Sequence, residues 1–381
     1  MSETVFSPQQ LAIFDFHSRT RVVCGENAID RLGDLATELG STRELVVTDP
    51  GIVSAGHVER GLQSLKKSGL HCQIFDGARE NPTTDDVNSG LSVAKEYQPD
   101  LLIGLGGGSS MDCAKGINFL YSCGGTMHDY WGVGKATGEM LPMIAVPTTA
   151  GTGSELQSFA LISDAETHVK MACGDKRASC KVAILDPCLT ITQPTLVTAL
   201  TAVDALSHAV ETFVTSKRNP ISTMFSRESY RLLTQNFETV FADPNNVEAR
   251  AGMQLGAAFG GLAIENSMLG ASHALANPLT ATYGIAHGQA VGVMVPHVVR
   301  FNGIEFDDLY QDLSGNSAQQ LAEDLTQLIE TAGLKTRLLD LSVESERLQE
   351  LAEAAAKQWT GNFNPRPVDA ESLLEIYQAA I

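Results

Sequence analysis

The first half of the chain alternates short apolar runs with segments of helical period. The apolar runs predict buried strands, and the periodic segments predict helices between them. Strand, helix and strand in this order are typical of a parallel sheet with right-handed crossovers and helices on both faces. The predicted strands are Glu44–Thr48, Cys72–Phe75, Leu101–Gly104, Met143–Val146 and Val182–Leu185, and the predicted helices are His57–Ser68, Asp86–Tyr97 and Met111–Leu120.

From Leu189 onward the apolar positions recur with a period of 3.6, which predicts a mostly helical region. The change of period coincides with Asp186-Pro187, so we place a domain boundary there. The sequence thus predicts an α/β, Rossmann-like domain over residues 1–187 and an all-α domain over residues 188–381. The predicted helices are Val203–Thr215, Thr223–Asn236, Ala249–Glu265, Ser317–Ala332 and Val343–Lys357.

Composition narrows the class of protein. The 381 residues carry 26 Lys and Arg against 45 Asp and Glu, a formal charge of −19 that repels nucleic acids and anionic membrane surfaces. No apolar run reaches the ~18 residues of a membrane-spanning helix, and Met1–Gln10 lacks the pattern of a secretory signal. We therefore expect a cytoplasmic protein that binds neither nucleic acid nor membrane.

The cysteines agree with a reducing compartment. They form no CxxC pair and their number is odd, which favours reduced thiols over a disulfide framework. We expect them to act as small core residues. They are Cys24, Cys72, Cys113, Cys123, Cys173, Cys180 and Cys188.

A glycine-rich turn joins a predicted strand to a predicted helix. The buried run Asp100–Leu105 leads into Gly106, Gly107, Gly108 and Ser109. Glycines let the backbone approach a phosphate, and the N–H groups of the first helical turn attract it. This turn is a candidate pyrophosphate site, although a strict GxGxxG is absent and a tight structural turn is the alternative.

Two further segments suit a dinucleotide. Pro147–Glu155 follows a strand and is crowded with hydroxyls and small residues, as a loop around a nucleotide would be; a surface loop is the alternative. Asp49 ends another strand, where a carboxylate can accept the ribose hydroxyls and repel a 2′-phosphate, which favours NAD over NADP. A turn-forming Asp before Pro50 is the alternative there.

Candidate metal ligands lie in the second half. Asp204 and His208 are four residues apart in a helical segment and so leave the same face, which suits either a shared ion or a simple hydrogen bond. His273 and His287 follow, fourteen residues apart and on either side of a turn containing Gly284. An Asp with three His suits Fe²⁺ or Zn²⁺.

Taken in order, four segments resemble the iron-containing (group III) alcohol dehydrogenase family: Gly106–Lys115, Pro147–Glu155, Asp204–Glu211 and His273 to Gly288. The resemblance runs from Cys24 to Pro367. It implies a dehydroquinate-synthase-like architecture, a homodimer or larger oligomer, and the metal ligands Asp204, His208, His273 and His287. It also implies that the nucleotide is bound by Asp49, Asn81, Gly106, Gly107, Gly108, Ser109, Thr148, Thr149, Thr152 and Lys170.

One position departs from the family. Many members carry a histidine with a proton-relay or nicotinamide-side role four residues after the third ligand, and here that residue is Asn277. Asparagine forms hydrogen bonds but cannot accept a proton near neutral pH. Proton release therefore needs another route.

The resemblance implies an NAD(P)-dependent and metal-dependent alcohol dehydrogenase acting on a small primary alcohol or aldehyde. In that hypothesis the ion is a Lewis acid for the substrate oxygen while hydride passes to or from nicotinamide. Three other readings stay open at this point. They are a dehydroquinate-synthase-like lyase, a metal-free enzyme resembling maleylacetate reductase, and a non-catalytic nucleotide-binding homologue.

Overall fold

The computed structural model describes residues 13–381, which form two compact units. The first is Ser18–Gln193, and the second joins Pro194–Ile381 with residues 13–17. Residues after the predicted boundary at 187 stay with the first unit, because Leu189 is buried in its core and His57 Nε2 lies 2.7 Å from Thr192 Oγ1. Phe16 instead packs on Phe225 of the second unit. Met1–Gln10, where no secretory signal is expected, lies outside the described residues.

The first unit is built on a six-stranded, entirely parallel sheet. Its strands are β1 (Arg21–Cys24), β2 (Arg43–Val47), β3 (His71–Phe75), β4 (Leu101–Gly106), β6 (Met143–Pro147) and β9 (Val182–Leu185). Their order across the sheet is β1-β9-β6-β4-β2-β3. The accompanying helices are α1 (Leu32–Glu38), α2 (Pro50–Ser54), α3 (His57–Lys67), α4 (Thr84–Tyr97) and α5 (Gly108–Cys123). The predicted parallel α/β domain is confirmed.

Side chains alternate between the two faces of this sheet, and each face has its own core. On β2, Leu45 and Val47 join the core that contains Ile117 of α5, whereas Val46 joins the core that contains Leu65 of α3. The period of two along a strand requires this division. Because both faces are covered by helices, the strands read as continuous apolar runs in the sequence.

A second, three-stranded sheet in this unit was not predicted. Its order is β5-β8-β7, with β5 (Gly132–Val133), β7 (Phe159–Ser163) and β8 (Lys170–Gly174). The β7–β8 pair is antiparallel, so the unit is not purely parallel. The alternation of buried and more exposed residues that indicates a strand is present in β7. Strand β5 has only two residues, too few to show such a pattern. The edge strand β1 was missed as well.

The second unit is helical, and each regular element described within residues 194–381 is a helix. The α-helices are α6 (Thr195–Val214), α7 (Pro220–Ala242), α8 (Val247–Asn266), α9 (Ala271–Tyr283), α10 (His287–Ser314), α11 (Ala318–Thr331), α12 (Leu348–Ala355) and α13 (Ala370–Ala379). No helix in the described part of the chain is long and apolar enough to cross a membrane. The predicted all-α architecture is confirmed.

Several helices extend beyond their predicted bounds because their caps lie outside the apolar pattern. Asn219 caps α7 through the N–H groups of Ile221 and Ser222, and Pro220 occupies its first turn. Val343–Lys357 was predicted as one helix and is not. Ser342 has a φ of 60°, a short 3₁₀-helix follows, and α12 begins only at Leu348.

The cysteines are free, as expected of reduced thiols. Cys113, Cys173 and Cys180 are buried core residues. Cys24 is exposed, however, so its assignment to the core was wrong. It ends the edge strand β1, where three of the four residues are exposed.

Candidate metal centre and nucleotide loops

Helix α6 presents Asp204 and His208 on one buried face. The two residues are one turn apart, and both are almost fully buried. The His208 Nε2 to Asp204 Oδ1 distance is 3.4 Å. This is longer than the 2.7–3.2 Å of an ordinary N–H to O hydrogen bond, so a simple i,i+4 bond describes the pair poorly.

Helices α9 and α10 bring two more histidines to the same carboxylate oxygen. His273 Nε2 lies 3.6 Å and His287 Nε2 lies 3.8 Å from Asp204 Oδ1. The His208 and His273 rings are stacked with centroids 5.0 Å apart, and the His273 and His287 centroids are 5.3 Å apart. Residues that are 83 positions apart in the chain therefore surround one atom, and the structure brings together the four predicted ligands.

This arrangement fits a divalent metal ion. Ligand atoms of Asp204, His208 and His273 lie within 4.8 Å of one another. Asp204 Oδ1 and His273 Nε2 are buried without a hydrogen-bond partner among residues 13–381. Burying unpartnered polar atoms costs free energy, and a cation shared between them would offset that cost. A set of one carboxylate and imidazoles suits Fe²⁺ and Zn²⁺ alike.

The charges of the cluster are strongly coupled. Burial raises the pKa of the Asp204 carboxyl, but His208, His273 and His287 outweigh it and hold that pKa well below the usual range. Burial lowers the pKa of His273, but Glu211 and Asp204 outweigh it and raise that pKa to about 9. The site therefore attracts positive charge, carried by protons or by a metal ion.

Sequence reasoning missed Glu211 as a member of this site. Its side chain is buried, and Oε2 lies 2.5 Å from His273 Nδ1. Its other oxygen accepts the Ser272 backbone N–H at 2.6 Å. Burial raises the pKa of Glu211, but His273 and Ser272 outweigh it and lower that pKa. The one available signal was its place at the end of the segment Asp204–Glu211.

Asn277 follows His273 by one turn of α9. Its Nδ2 donates to Gln358 Oε1 at 3.0 Å, so the amide is fixed by a second amide. Both side chains are half-buried. No general base takes the position of the expected relay histidine.

The predicted pyrophosphate turn lies at the carboxyl end of β4. Gly106 ends the strand with a φ of 151°, a conformation that favours glycine, and Gly107 is the N-cap of α5. A Cβ at Gly108 would lie 2.6 Å from Thr152 Oγ1, so the loop after β6 closes tightly on the start of α5. Ser109 is in the first turn of α5, where N–H groups are free to bind an anion.

The loop after β6 lies beside this turn because β4 and β6 are neighbouring strands. The Thr148 N–H donates to the Gly106 carbonyl at 2.9 Å. Thr148 Oγ1 is buried with no hydrogen-bond partner in the described chain, and Thr149 approaches Gly107. Two predicted loops therefore form one surface of backbone and hydroxyl groups.

Asp49 has two roles. Oδ1 caps α2 by accepting the N–H groups of Gly51 and Ile52. Oδ2 accepts the Ser110 hydroxyl at 3.2 Å, which places the carboxylate beside the glycine-rich turn. The turn-forming alternative and the proximity to the nucleotide loops are thus both present.

Asn81, Ser109 and Lys170 are also brought together. The Asn81 N–H donates to Ser109 Oγ at 3.2 Å, and Lys170 Nζ donates to Asn81 Oδ1 at 3.1 Å. Asn81 has a φ of 52°, in the left-handed region that Asn tolerates. Apart from Lys170, which begins β8 of the small sheet and contacts Asn81, the predicted nucleotide residues follow the carboxyl ends of strands in the parallel sheet, where open α/β sheets bind ligands.

The comparisons with known proteins cover almost the whole chain. The sequence-family model for iron-containing alcohol dehydrogenase matches residues 19–187. The family model for the C-terminal part of Fe-containing alcohol dehydrogenases matches residues 198–381. A 1,3-propanediol dehydrogenase of Klebsiella pneumoniae is 33% identical over 370 residues, covering 93% of this chain and 96% of the relative.

Solved structures show the same two-part fold. A 1,3-propanediol oxidoreductase superposes with a TM-score of 0.91 at 33% identity, over 97% of this chain and 100% of that one. A sulfoacetaldehyde reductase from Bifidobacterium kashiwanohense, solved with NAD⁺, gives a TM-score of 0.89 at 25% identity, over 97% of this chain and 99% of that one.

These matches select among the readings that the sequence left open. The two family models together match residues 19–187 and 198–381, and the relatives are dehydrogenases. The dehydrogenase reading is thereby confirmed. The chain belongs to the iron-containing alcohol dehydrogenase family and is a metal-dependent oxidoreductase acting on alcohols or aldehydes.

Proposed function

We propose that this dehydrogenase transfers hydride between NAD(H) and a small primary alcohol or aldehyde, using Fe²⁺ held by Asp204, His208, His273 and His287. The observation that carries the proposal is the set of three imidazole Nε2 atoms within 3.8 Å of Asp204 Oδ1. When bound, a divalent ion supplies Lewis acidity toward the substrate oxygen. Zn²⁺ is the alternative ion, and the family resemblance favours iron.

Burial determines where the substrate can approach. Asp204, His208 and His273 are almost fully buried, whereas the His287 side chain is 28% exposed. A low-dielectric surrounding strengthens electrostatic interactions with a developing negative charge. We infer that the substrate oxygen approaches beside His287, the candidate ligand that solvent reaches.

The nucleotide loops support NAD(H) as the hydride carrier. The first turn of α5 offers N–H groups to the pyrophosphate, and the buried Thr148 hydroxyl beside it lacks a described partner. Asp49 puts a carboxylate beside that turn. A negative charge there accepts ribose hydroxyls and repels a 2′-phosphate, which supports NAD over NADP.

Asn277 is proposed to orient the reactants and not to carry a proton. An amide cannot accept a proton near neutral pH, and this one is held by Gln358. The proton released on alcohol oxidation therefore leaves by a route that does not include the side chain at 277.

The test is NADH oxidation under anaerobic conditions by protein stripped of metal and reloaded with Fe²⁺ or Zn²⁺. The substrates are small aldehydes that are unsubstituted, hydroxylated, acidic or phosphonate-bearing. We expect turnover that requires the ion and is faster with Fe²⁺. Turnover at the same rate in the stripped protein would refute the metal assignment.

Cofactor choice is tested by comparing NADH with NADPH in Asp49→Asn. Asn is as good an N-cap as Asp, so α2 is preserved while the charge is removed. We expect the variant to lose most of its preference for NADH. An unchanged preference would show that another residue selects the cofactor.

A further inference from the structure

We propose that Glu211 is a positioning residue for the metal centre: it fixes the ring orientation and the tautomer of His273, so that Nε2 is left unprotonated for the ion. The inference rests on the proposed metal assignment and deepens it. Glu211 does not approach the ion as a ligand in this proposal. It acts through His273.

The hydrogen bonds of Glu211 define the tautomer. Its Oε2 lies 2.5 Å from His273 Nδ1, and its Oε1 accepts the Ser272 N–H at 2.6 Å. An ionised carboxylate only accepts hydrogen bonds, so His273 Nδ1 must carry the proton. The opposite ring nitrogen, Nε2, faces Asp204 Oδ1 at 3.6 Å and is the nitrogen that would give up its proton to bind an ion.

The start of α9 is built to admit this carboxylate. A Cβ at Gly270 would lie 3.1 Å from Glu211 Oε1, a tighter approach than side chains usually make. The next N–H along, that of Ala271, is bound by Asn364 Oδ1 at 3.3 Å. The first two N–H groups of α9 are thus held by side chains from elsewhere in the unit, and these bonds set the position from which His273 projects.

Glutamine at 211 should fail for a specific reason. Its amide has one acceptor oxygen and one NH₂ group, whereas the site presents two donors. If the oxygen receives the Ser272 N–H, the NH₂ group faces His273 Nδ1 and favours the tautomer with the proton on Nε2. If the oxygen receives His273, the NH₂ group opposes the Ser272 N–H. Either arrangement weakens the metal site.

The experiment measures Zn²⁺ affinity of Glu211→Gln by competition with a chelator, without reference to activity. Loss of such supporting groups typically weakens metal binding roughly 10–100-fold, and we expect a loss in that range. Glu344→Gln is the matched control. Glu344 accepts a hydrogen bond from the hydroxyl of Tyr283, which lies on the same helix as His273, α9. Glu344 is not part of the metal cluster, so the Zn²⁺ affinity of Glu344→Gln should equal that of the wild type. Wild-type affinity in Glu211→Gln would overturn the proposal.

A second measurement uses only the wild-type protein, in case the variant does not fold. Two-bond ¹H–¹⁵N spectra of the Zn²⁺-loaded enzyme report which nitrogen of each histidine carries the proton. We expect His273 to be protonated at Nδ1, and protonation at Nε2 would overturn the proposal. If the tautomer and affinity follow Glu211 but no aldehyde oxidises NADH, the proposed function fails while the positioning role stands. If an aldehyde oxidises NADH but Glu211→Gln leaves the Zn²⁺ affinity unchanged, the proposed function stands while the positioning role fails.

Discussion

The candidate metal centre and the candidate nucleotide loops are built from different parts of the protein. The first consists of four side chains projected from α6, α9 and α10, and it depends on the identity of each residue. The second consists mainly of backbone N–H groups and hydroxyls at the ends of β4 and β6, and it depends on the absence of Cβ atoms. Substitutions should therefore damage the two sites in different ways.

Each site is nevertheless supported by one buried charged group. Glu211 holds an imidazole of the metal centre. On α5, Lys115 Nζ donates to the carbonyls of Ser154, Gln157 and Phe159 at 2.7–2.9 Å. The Glu211 carboxylate thus orients a side chain of the metal centre, and the Lys115 ammonium orients the backbone beside the nucleotide loops. Each group does so through hydrogen bonds.

The largest effect is expected from His287→Ala. Removing a ligand opens the metal centre, so we expect kcat/KM to fall by more than roughly a hundredfold and the bound metal to be lost. His297→Ala is the control, since His297 lies on the same helix, α10, and is not one of the histidines whose Nε2 approaches Asp204 Oδ1. Metal content by elemental analysis and steady-state kinetics provide the check. An active, metal-replete His287→Ala would remove this residue from the ligand set.

A smaller effect, confined to the cofactor, is expected from Gly108→Ala. The new Cβ would lie 2.6 Å from Thr152 Oγ1 and would push the two nucleotide loops apart. We expect the dissociation constant of NADH to rise at least about tenfold. A displacement of about 1 Å in a positioned site can lower a reaction rate about a hundredfold. Metal affinity should not change.

Titration of NADH by fluorescence tests this prediction. Gly138→Ala is the matched control, because its Cβ would meet only the Ser122 carbonyl at 3.8 Å, an ordinary contact. Equal NADH affinity in the two variants would mean that the loops tolerate the extra atom.

The third effect concerns stability alone. Burial raises the pKa of Glu155 from 4.5 to about 7, so the folded protein retains a proton that the unfolded chain has lost. The free energy of unfolding should therefore fall by at most about 3 kcal/mol as pH rises from about 4.5 to about 7. Above that pH it should level off. Glu155→Gln should abolish this slope and increase stability at neutral pH. Urea unfolding between pH 4 and 8 measures it, and an unchanged slope in the variant would contradict the assignment.

The smallest effect is expected from Asn277→His. A histidine there restores a group that titrates near neutral pH, so it should add an inflection to the pH profile of kcat. We expect rates at a given pH to change by less than about tenfold, because the four candidate metal ligands are unchanged in this variant. An identical profile would show that residue 277 does not contact the proton path.

Sequence reasoning was strongest where one local element carries the chemistry. Asp204 and His208 share a helical turn, and Gly106–Ser109 join one strand to one helix, so periodicity and turn composition were enough to single them out as candidates. Family resemblance then supplied their expected roles. His273 and His287 were assigned through family resemblance, because no spacing rule relates them to Asp204. Glu211 was overlooked since its role arises only when α6 packs beside the start of α9. The small sheet was overlooked because its strands are short and one has two residues.

The four candidate ligands belong to three helices, and this has a consequence for the life of the protein in a cell. An ion that binds α6, α9 and α10 together stabilises the folded state over the unfolded one, by about 2.7 kcal/mol at a free concentration one hundred times its dissociation constant. Proteases degrade chains that open transiently. We therefore expect the abundance of this enzyme to rise and fall with metal supply even when its rate of synthesis is constant.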